Sequence, residues 1–358
     1  TIHCTHIIPI PICKNSYFSP KGKNVSVVIQ IKLGKFNIFH IMPEYFQMMN
    51  YGEKIMNFAP VILFVYNRPE HTLKTLEALQ KNDLAQQTEL YIFCDGAKNN
   101  ATPEQAKKIA ETREIIRSKK WCGNVHIEES AENKGLAASI ISGVSKIMEK
   151  HGRAIILEDD IVTGKFFLTY MNKALDLYKD TPTVWHINGW TNPVKTKSPS
   201  NAFIYPVMEC WGWATWADRW QYYKKDCEYY FKKFSRKDIY HFNSEGTENR
   251  WKQVLRNKSG KINTWAIFWA ATIFEHNGLC VAPQKTLVRN VGMDNSGENC
   301  YSSPLQTVHG SIDHEITFFP QEIVVDVCMY KRLKNFFSLK NLITPGRVYR
   351  KLKSILTK

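Results

Sequence analysis

At 358 residues, 44% hydrophobic and 13% aromatic, the chain is globular and long enough for one large domain or two smaller ones. Its formal net charge of +15 is a property of the ends: residues 330–358 carry nine Lys/Arg and no Asp/Glu, 1–56 carry six Lys and two Glu, and 57–329 keep about +2. A nucleic-acid enzyme carries its basic surface on the body of the fold, so no nucleic-acid partner is expected.

The nine cysteines form no CxxC pair, which sets aside a zinc site and a disulfide framework. Reduced thiols in a cytoplasmic protein are the simpler reading. No apolar run of about 18 residues is present to span a membrane, and no leader pattern opens the chain. Residues 1–56 read as an N-terminal extension. Ile8 to Ile12 alternates Ile and Pro and cannot be helical, Val25–Leu33 suits a strand, and Met56 is an expected natural start.

From Pro60 the pattern sharpens. Val61–Val65 reads as a buried strand, and after Tyr66-Asn67-Arg68, Pro69 opens a helix with Leu73, Leu76 and Leu79 on its apolar face. A strand over Glu89–Cys94 ends in Asp95-Gly96. A helix over Pro103–Ser118, a strand over Asn124–Glu128 and a helix over Gly135–Lys150 follow. This alternation predicts a right-handed, parallel α/β sheet.

The next strand, Ala154–Leu157, runs directly into Glu158-Asp159-Asp160. Adjacent carboxylates repel, and burying them unpaired is costly. Their expected place is the carboxyl end of a strand, opening into a crevice where a divalent cation relieves the repulsion. Strict alternation places Glu158 and Asp160 on one side and Asp159 on the other.

Val61–Arg68 with its helix, Phe93-Cys94-Asp95-Gly96 and Leu157–Asp160 together resemble the nucleotide-sugar half of GT-A glycosyltransferases. Within that fold the chain is similar to the N-acetylglucosaminyltransferase I type and its bacterial family-2-like relatives. Lys165-Phe166-Phe167, the Trp-Gly-Trp segment Cys210–Trp216, the Trp265–Trp269 helix, Val281-Ala282-Pro283 and Asn290–Gly297 follow in the family's order. The resemblance implies a GT-A domain over 57–325, with a nucleotide-binding half (57–160) and an acceptor half (161–325). It further implies Mn²⁺ or Mg²⁺ on Asp160, with Glu158 and Asp159 near the donor sugar and ribose. Arg68 and Asp95 would hold the nucleoside, Arg68 alternatively pairing with phosphate, and Ser296 would close over the donor. Hard carboxylate oxygens suit such cations, which stabilise the departing diphosphate.

An inverting transfer also needs a base for the acceptor hydroxyl. The family's carboxylate position falls on Asn263-Thr264, neither of which is a base, so Glu209 and Asp294 are the candidates. Trp211 is the best placed aromatic to touch a sugar ring, whereas Trp213 and Trp216 read as core. Residues 326–358 form a basic amphipathic tail. It suits an anionic membrane surface, giving a peripheral enzyme on the inner face of the cell membrane, and equally a helix packed on the domain.

The expected activity is transfer of a hexosyl or N-acetylhexosaminyl group from a nucleotide sugar, UDP-linked, to a glycan or lipid-linked glycan acceptor in bacterial polysaccharide biosynthesis. A sugar nucleotidyltransferase shares the sheet and carboxylates, but the Gly-rich, basic phosphate loop it needs after Val65 is missing. A membrane-attached carbohydrate-binding protein without catalysis is the non-enzymatic alternative.

Overall fold

In the computed structural model, residues 29–33, 36–40, 58–196, 201–294 and 310–343 are described. The chain divides into two compact units, 1–57 and 58–358. The first contains an antiparallel hairpin of β1 (Ile29–Leu33) and β2 (Phe36–His40), in register from Ile29 opposite His40 to Leu33 opposite Phe36. Residues 25–28 of the expected strand and the Met56 start lie outside the described residues.

The second unit is built on an eight-stranded mixed sheet flanked by helices, the α/β class expected of a GT-A fold. Its first half comprises β3 (Val61–Val65), α1 (Pro69–Gln80), β4 (Glu89–Cys94), α2 (Pro103–Arg117), β5 (Asn124–Glu129), α3 (Leu136–His151) and β6 (Arg153–Glu158). The sheet order β5-β4-β3-β6 is parallel throughout. β4 lies on one side of β3 and β6 on the other, so the strand order reverses at β3. Open α/β sheets bind their ligands at such a switch point, in the crevice beyond the strands' carboxyl ends.

β3 and β6 are apolar because both sheet faces are covered. Val61, Leu63, Val65, Ile155 and Leu157 pack into one core cluster with Leu76 and Leu79 of α1. Ile62, Phe64, Ala154 and Ile156 pack into the other with Ile140 and Val144 of α3. α1 begins at Pro69, whose missing N–H costs nothing at a helix start. α3 begins after Gly135 and ends at Gly152, both at positive φ (76° and 72°).

The second half runs through β7 (Ile161–Thr163), α4 (Phe167–Tyr178), β8 (Val184–Asn188), β9 (Ala202–Tyr205), β10 (Trp213–Trp216), α5 (Ala217–Trp220), α6 (Cys227–Lys233), α7 (Arg236–Phe242), α8 (Trp251–Lys258), α9 (Ala266–Glu275), β11 (Leu279–Pro283), β12 (Val288–Asn290) and α10 (Val327–Ile343). β10 enters the sheet antiparallel to β6, with Trp213 opposite Ile156, and β8, β11 and β9 extend the sheet beyond it. The residues leading into β10, from Glu209 to Gly212, therefore lie at the same edge as the carboxyl ends of β3 and β6. A separate ribbon pairs β7 with β12.

The tail begins as a packed helix. Met329, Tyr330, Leu333 and Phe337 of α10 lie in the core cluster, and Lys334 pairs with Glu245 at 2.6 Å. Over these residues the apolar stripe is taken up by the domain itself, which is the packed alternative of the two expected. Residues 344–358 lie outside the described residues. No helix among the described residues is long and apolar enough to cross a membrane.

Trp213 and Trp216 are core, as expected, with Trp213 stacked between His186 and Trp265. His186 accepts from the Trp269 indole at Nδ1 (3.1 Å), so its Nε2 carries the proton and donates to the Glu209 carbonyl (3.1 Å). Burial pushes the imidazole down to about 3, so it folds neutral. The unfolded chain takes up this proton near the ordinary histidine value while the folded chain does not. The stabilisation is therefore complete above about pH 6.5 and lost as pH falls towards about 3, at up to about 1.4 kcal/mol per pH unit. Urea titrations across this range should show a shallower acid loss in His186→Gln than in the wild type; parallel curves would contradict the assignment.

Candidate active site

The acidic segment is held on every side by its own chain. Leaving β6, Asp159 is held on α1 by Thr75, whose hydroxyl donates to the Asp159 carbonyl at 2.8 Å. The Val291 amide donates to the Asp160 carbonyl at 2.9 Å, in continuation of the β7–β12 ribbon. α1 thus grips one side of the segment and the chain after β12 the other.

Arg68, at the end of β3, lies between the two aspartates. Its guanidinium pairs with Asp159 through Nε (3.3 Å) and Nη2, and its Nη1 lies 2.9 Å from Asp160 Oδ2. Both aspartates are 4% exposed, so their attraction for the guanidinium is little screened. The guanidinium is correspondingly held more firmly protonated than usual, although burial alone acts the other way.

Asp160 departs from the expected alternation. Glu158 points to the opposite side of the sheet, where it meets the Trp265 indole, while Asp159 and Asp160 both turn to Arg68. The reason is that β6 ends at Glu158 and the next two residues form a turn, where period-two alternation no longer holds. Burial, with Asp160 and Asp159 nearby, pushes the Glu158 carboxyl up to about 8. Burial likewise raises Asp159, against the pull of Arg68.

The other expected site residues have definite partners. Asp95 is 8% exposed, and its carboxylate accepts from the amides of Gly96 (3.0 Å), Lys134 (2.8 Å) and Gly135 (2.8 Å). It joins the end of β4 to the start of α3. Asp294 pairs with His71 Nε2 at 3.1 Å, closing the 290–294 segment onto the first turn of α1. Glu209 is fixed at both backbone groups: its amide donates to Asn188 Oδ1 (2.8 Å) and its carbonyl accepts from His186. Its carboxylate takes a bond from Asn192 (3.3 Å), with Arg250 3.9 Å away. Trp211 is half-buried, edge-on to Trp190 at 4.5 Å. Asn263 binds Lys225 and Thr264 binds Asn257, so both are occupied in local structure. Ser296 lies outside the described residues.

Sequence reasoning missed His71, Thr75, Gly292 and Trp265 as parts of this site. Gly292 is required sterically, since a Cβ there would lie 2.3 Å from Asp160 Oδ2 and 2.7 Å from Arg68 Nη1.

A divalent cation is compatible with this donor set. Two aspartates face one guanidinium, with Glu158 close by on the other side, so negative charge is in excess. Among the described residues no three His, Cys, Asp or Glu side chains converge on one point. A cation here would thus take most of its ligands from phosphate oxygens and water, as Mg²⁺ commonly does.

No protein-family model and no curated protein matches the chain. Among solved structures it is similar to S. aureus TarS 1–349 (10% identity, 65% of this chain and 61% of that one, TM-score 0.34). Against a longer TarS structure it spans only 24% of that chain. It is also similar to LgtC in complex with donor and acceptor sugar analogues (9% identity, 79% and 96%, TM-score 0.32). A UDP-glucose pyrophosphorylase complexed with UDP-glucose is a third (10% identity, 66% and 94%, TM-score 0.33). At these TM-scores the site's own geometry, not the likeness, carries the functional reading.

Gly292→Ala should displace the 290–294 segment and cost about 1–3 kcal/mol, the usual penalty of overpacking. Arg68→Met, which strands two buried carboxylates, should cost about 3–5 kcal/mol. Chemical denaturation checks both, and wild-type midpoints would contradict the packing described.

Proposed function

We propose that the chain is a metal-dependent, inverting glycosyltransferase that takes a sugar from a UDP-linked donor and adds it to a growing bacterial surface glycan. The observation that carries this reading is the Arg68–Asp159–Asp160 constellation at the sheet's switch point, with its excess negative charge. Asp160, supported by Asp159, would hold Mn²⁺ or Mg²⁺, whose charge stabilises the departing nucleoside diphosphate. Once a cation shares the carboxylates, Arg68 is free to turn its planar fork to a phosphate. Asp95 acts as a positioning residue, keeping the Gly96 and Lys134-Gly135 backbone at the nucleoside side of the crevice.

Of the two base candidates, Glu209 is favoured. Inversion requires the acceptor to attack from the side opposite the leaving diphosphate. Asp294 is tied to His71 on α1, the helix that follows Arg68, and so belongs to the diphosphate side. Glu209 precedes Trp211 at the start of β10, and its backbone is fixed by β8, which suits a base beside an acceptor sugar resting on Trp211.

The nucleotidyltransferase reading is disfavoured by the β3–α1 connection, in which only Tyr66, Asn67 and Arg68 separate the strand from the helix, too few for a Gly-rich phosphate loop. Incubation with a panel of nucleotide sugars, with and without Mn²⁺, distinguishes the readings. UDP should be released from one donor, dependent on metal and abolished by EDTA. Release of pyrophosphate on adding UTP and a sugar phosphate would indicate a nucleotidyltransferase, and no turnover with any donor and acceptor would indicate a binding protein. Glu209→Gln should retain UDP affinity while kcat falls about 10²–10⁴-fold; unchanged kcat would remove Glu209 as the base.

A further inference from the structure

The far side of α1 carries a second feature, outside the Arg68 site. Lys74, Glu77, Ala78 and Lys81 fall on one face of the helix at helical spacing, opposite the buried Leu76 and Leu79. They form one wall of a cleft of about 580 Å³, within the range of small-molecule sites. The other walls are Val162 and Thr163 of β7, Lys165, Arg289 of β12, Val291, Ile312 and Asp313.

The cleft is built from fixed parts. Asn82, at the end of α1, donates to Thr163 Oγ1 (3.0 Å) and accepts from the Leu168 amide (3.0 Å), stapling the helix to the ribbon. Gly164 lets the 312–313 backbone approach so closely that a Cβ would lie 2.2 Å from the Ile312 carbonyl oxygen. The Asp313 carboxylate is already engaged by the Lys165 amide at 2.7 Å.

The lining pairs a basic rim with an apolar floor. Lys74, Lys81, Lys165 and Arg289 face only Glu77 and Asp313 within the cleft, and Ala78, Val162, Val291 and Ile312 supply the floor. Lys74 and Lys81 have no ion-pair partner among the described residues, whereas Lys165 reaches the exposed Asp83 at 3.5 Å and lies over the Phe166 ring. Lys74 and Lys81 are open to an oxyanion, and Arg289, whose Nη2 donates to the Gly310 carbonyl at 2.8 Å, adds the remaining donors of its planar fork.

We propose that this cleft is a binding site for a phosphate ester, its phosphoryl group held by Lys74, Lys81 and Arg289 and its apolar body laid on Val162, Val291 and Ile312. The site is separate from the transfer centre but joined to it, since the Val291 amide that lines it also bonds to the Asp160 carbonyl. The proposal does not depend on the transfer activity.

Calorimetry of the full chain with farnesyl phosphate, farnesol and inorganic phosphate as probes tests it. Farnesyl phosphate should bind more tightly than either fragment, and at least tenfold more weakly to Lys74→Glu/Lys81→Glu and to Arg289→Ala. Inorganic phosphate binding as tightly as farnesyl phosphate would remove the apolar floor from the proposal. Equal affinity of farnesyl phosphate for wild type and both variants would overturn it. UDP titration of the same variants separates the two sites: unchanged UDP affinity with lost farnesyl phosphate binding is expected. Loss of both would place the probe in the transfer centre and also overturn the proposal. The substituted lysines are exposed, and thermal melts of the variants verify folding independently.

Discussion

Three consecutive carboxylates at the end of a buried strand repel one another, and much of the surrounding structure acts to contain that repulsion. Arg68 comes from the neighbouring strand to pair with two of them. Thr75 holds the carbonyl of one and Val291 the carbonyl of the next, so the acidic turn is pinned between α1 and the ribbon. Glu158 faces the other side, against Trp265, and is driven towards its protonated form. One guanidinium leaves negative charge in excess. A buried cluster kept in this state is poised to take up further positive charge, the property a site for a metal-bound diphosphate requires.

The second half of the domain positions what lies opposite that cluster. Trp213, Trp265, Trp220 and Trp269 form an aromatic core around His186. His186 and Asn188, both on β8, then fix the two backbone groups of Glu209. The aromatic packing therefore extends to the candidate base through two hydrogen bonds. β10, antiparallel to β6, brings this base and Trp211 to the edge where the acidic turn emerges.

The parts legible in the sequence were those encoded locally. Apolar runs marked β3, β4 and β6, Pro69 marked the start of α1, and the carboxylate run marked the edge of the sheet. Contacts between distant segments were not legible. Two of the three amides that occupy Asp95 come from residues about 40 positions away, and His71 meets Asp294 across 223 residues. The alternation rule failed at Asp160 because the strand ends two residues earlier. The Trp-Gly-Trp segment was legible as a motif, but its role as a sheet strand depends on pairing with β6 and β8, which no local pattern specifies.

The central claim is that the acidic turn holds a cation shared with a nucleoside diphosphate. Calorimetric titration of UDP into wild type and Asp160→Asn, each with and without Mn²⁺, tests it most directly. Mn²⁺ should raise the affinity of wild type for UDP by at least tenfold, about 1.4 kcal/mol, and should have no effect on Asp160→Asn. Equal enhancement in both proteins, or UDP binding indifferent to Mn²⁺ in wild type, would contradict the account.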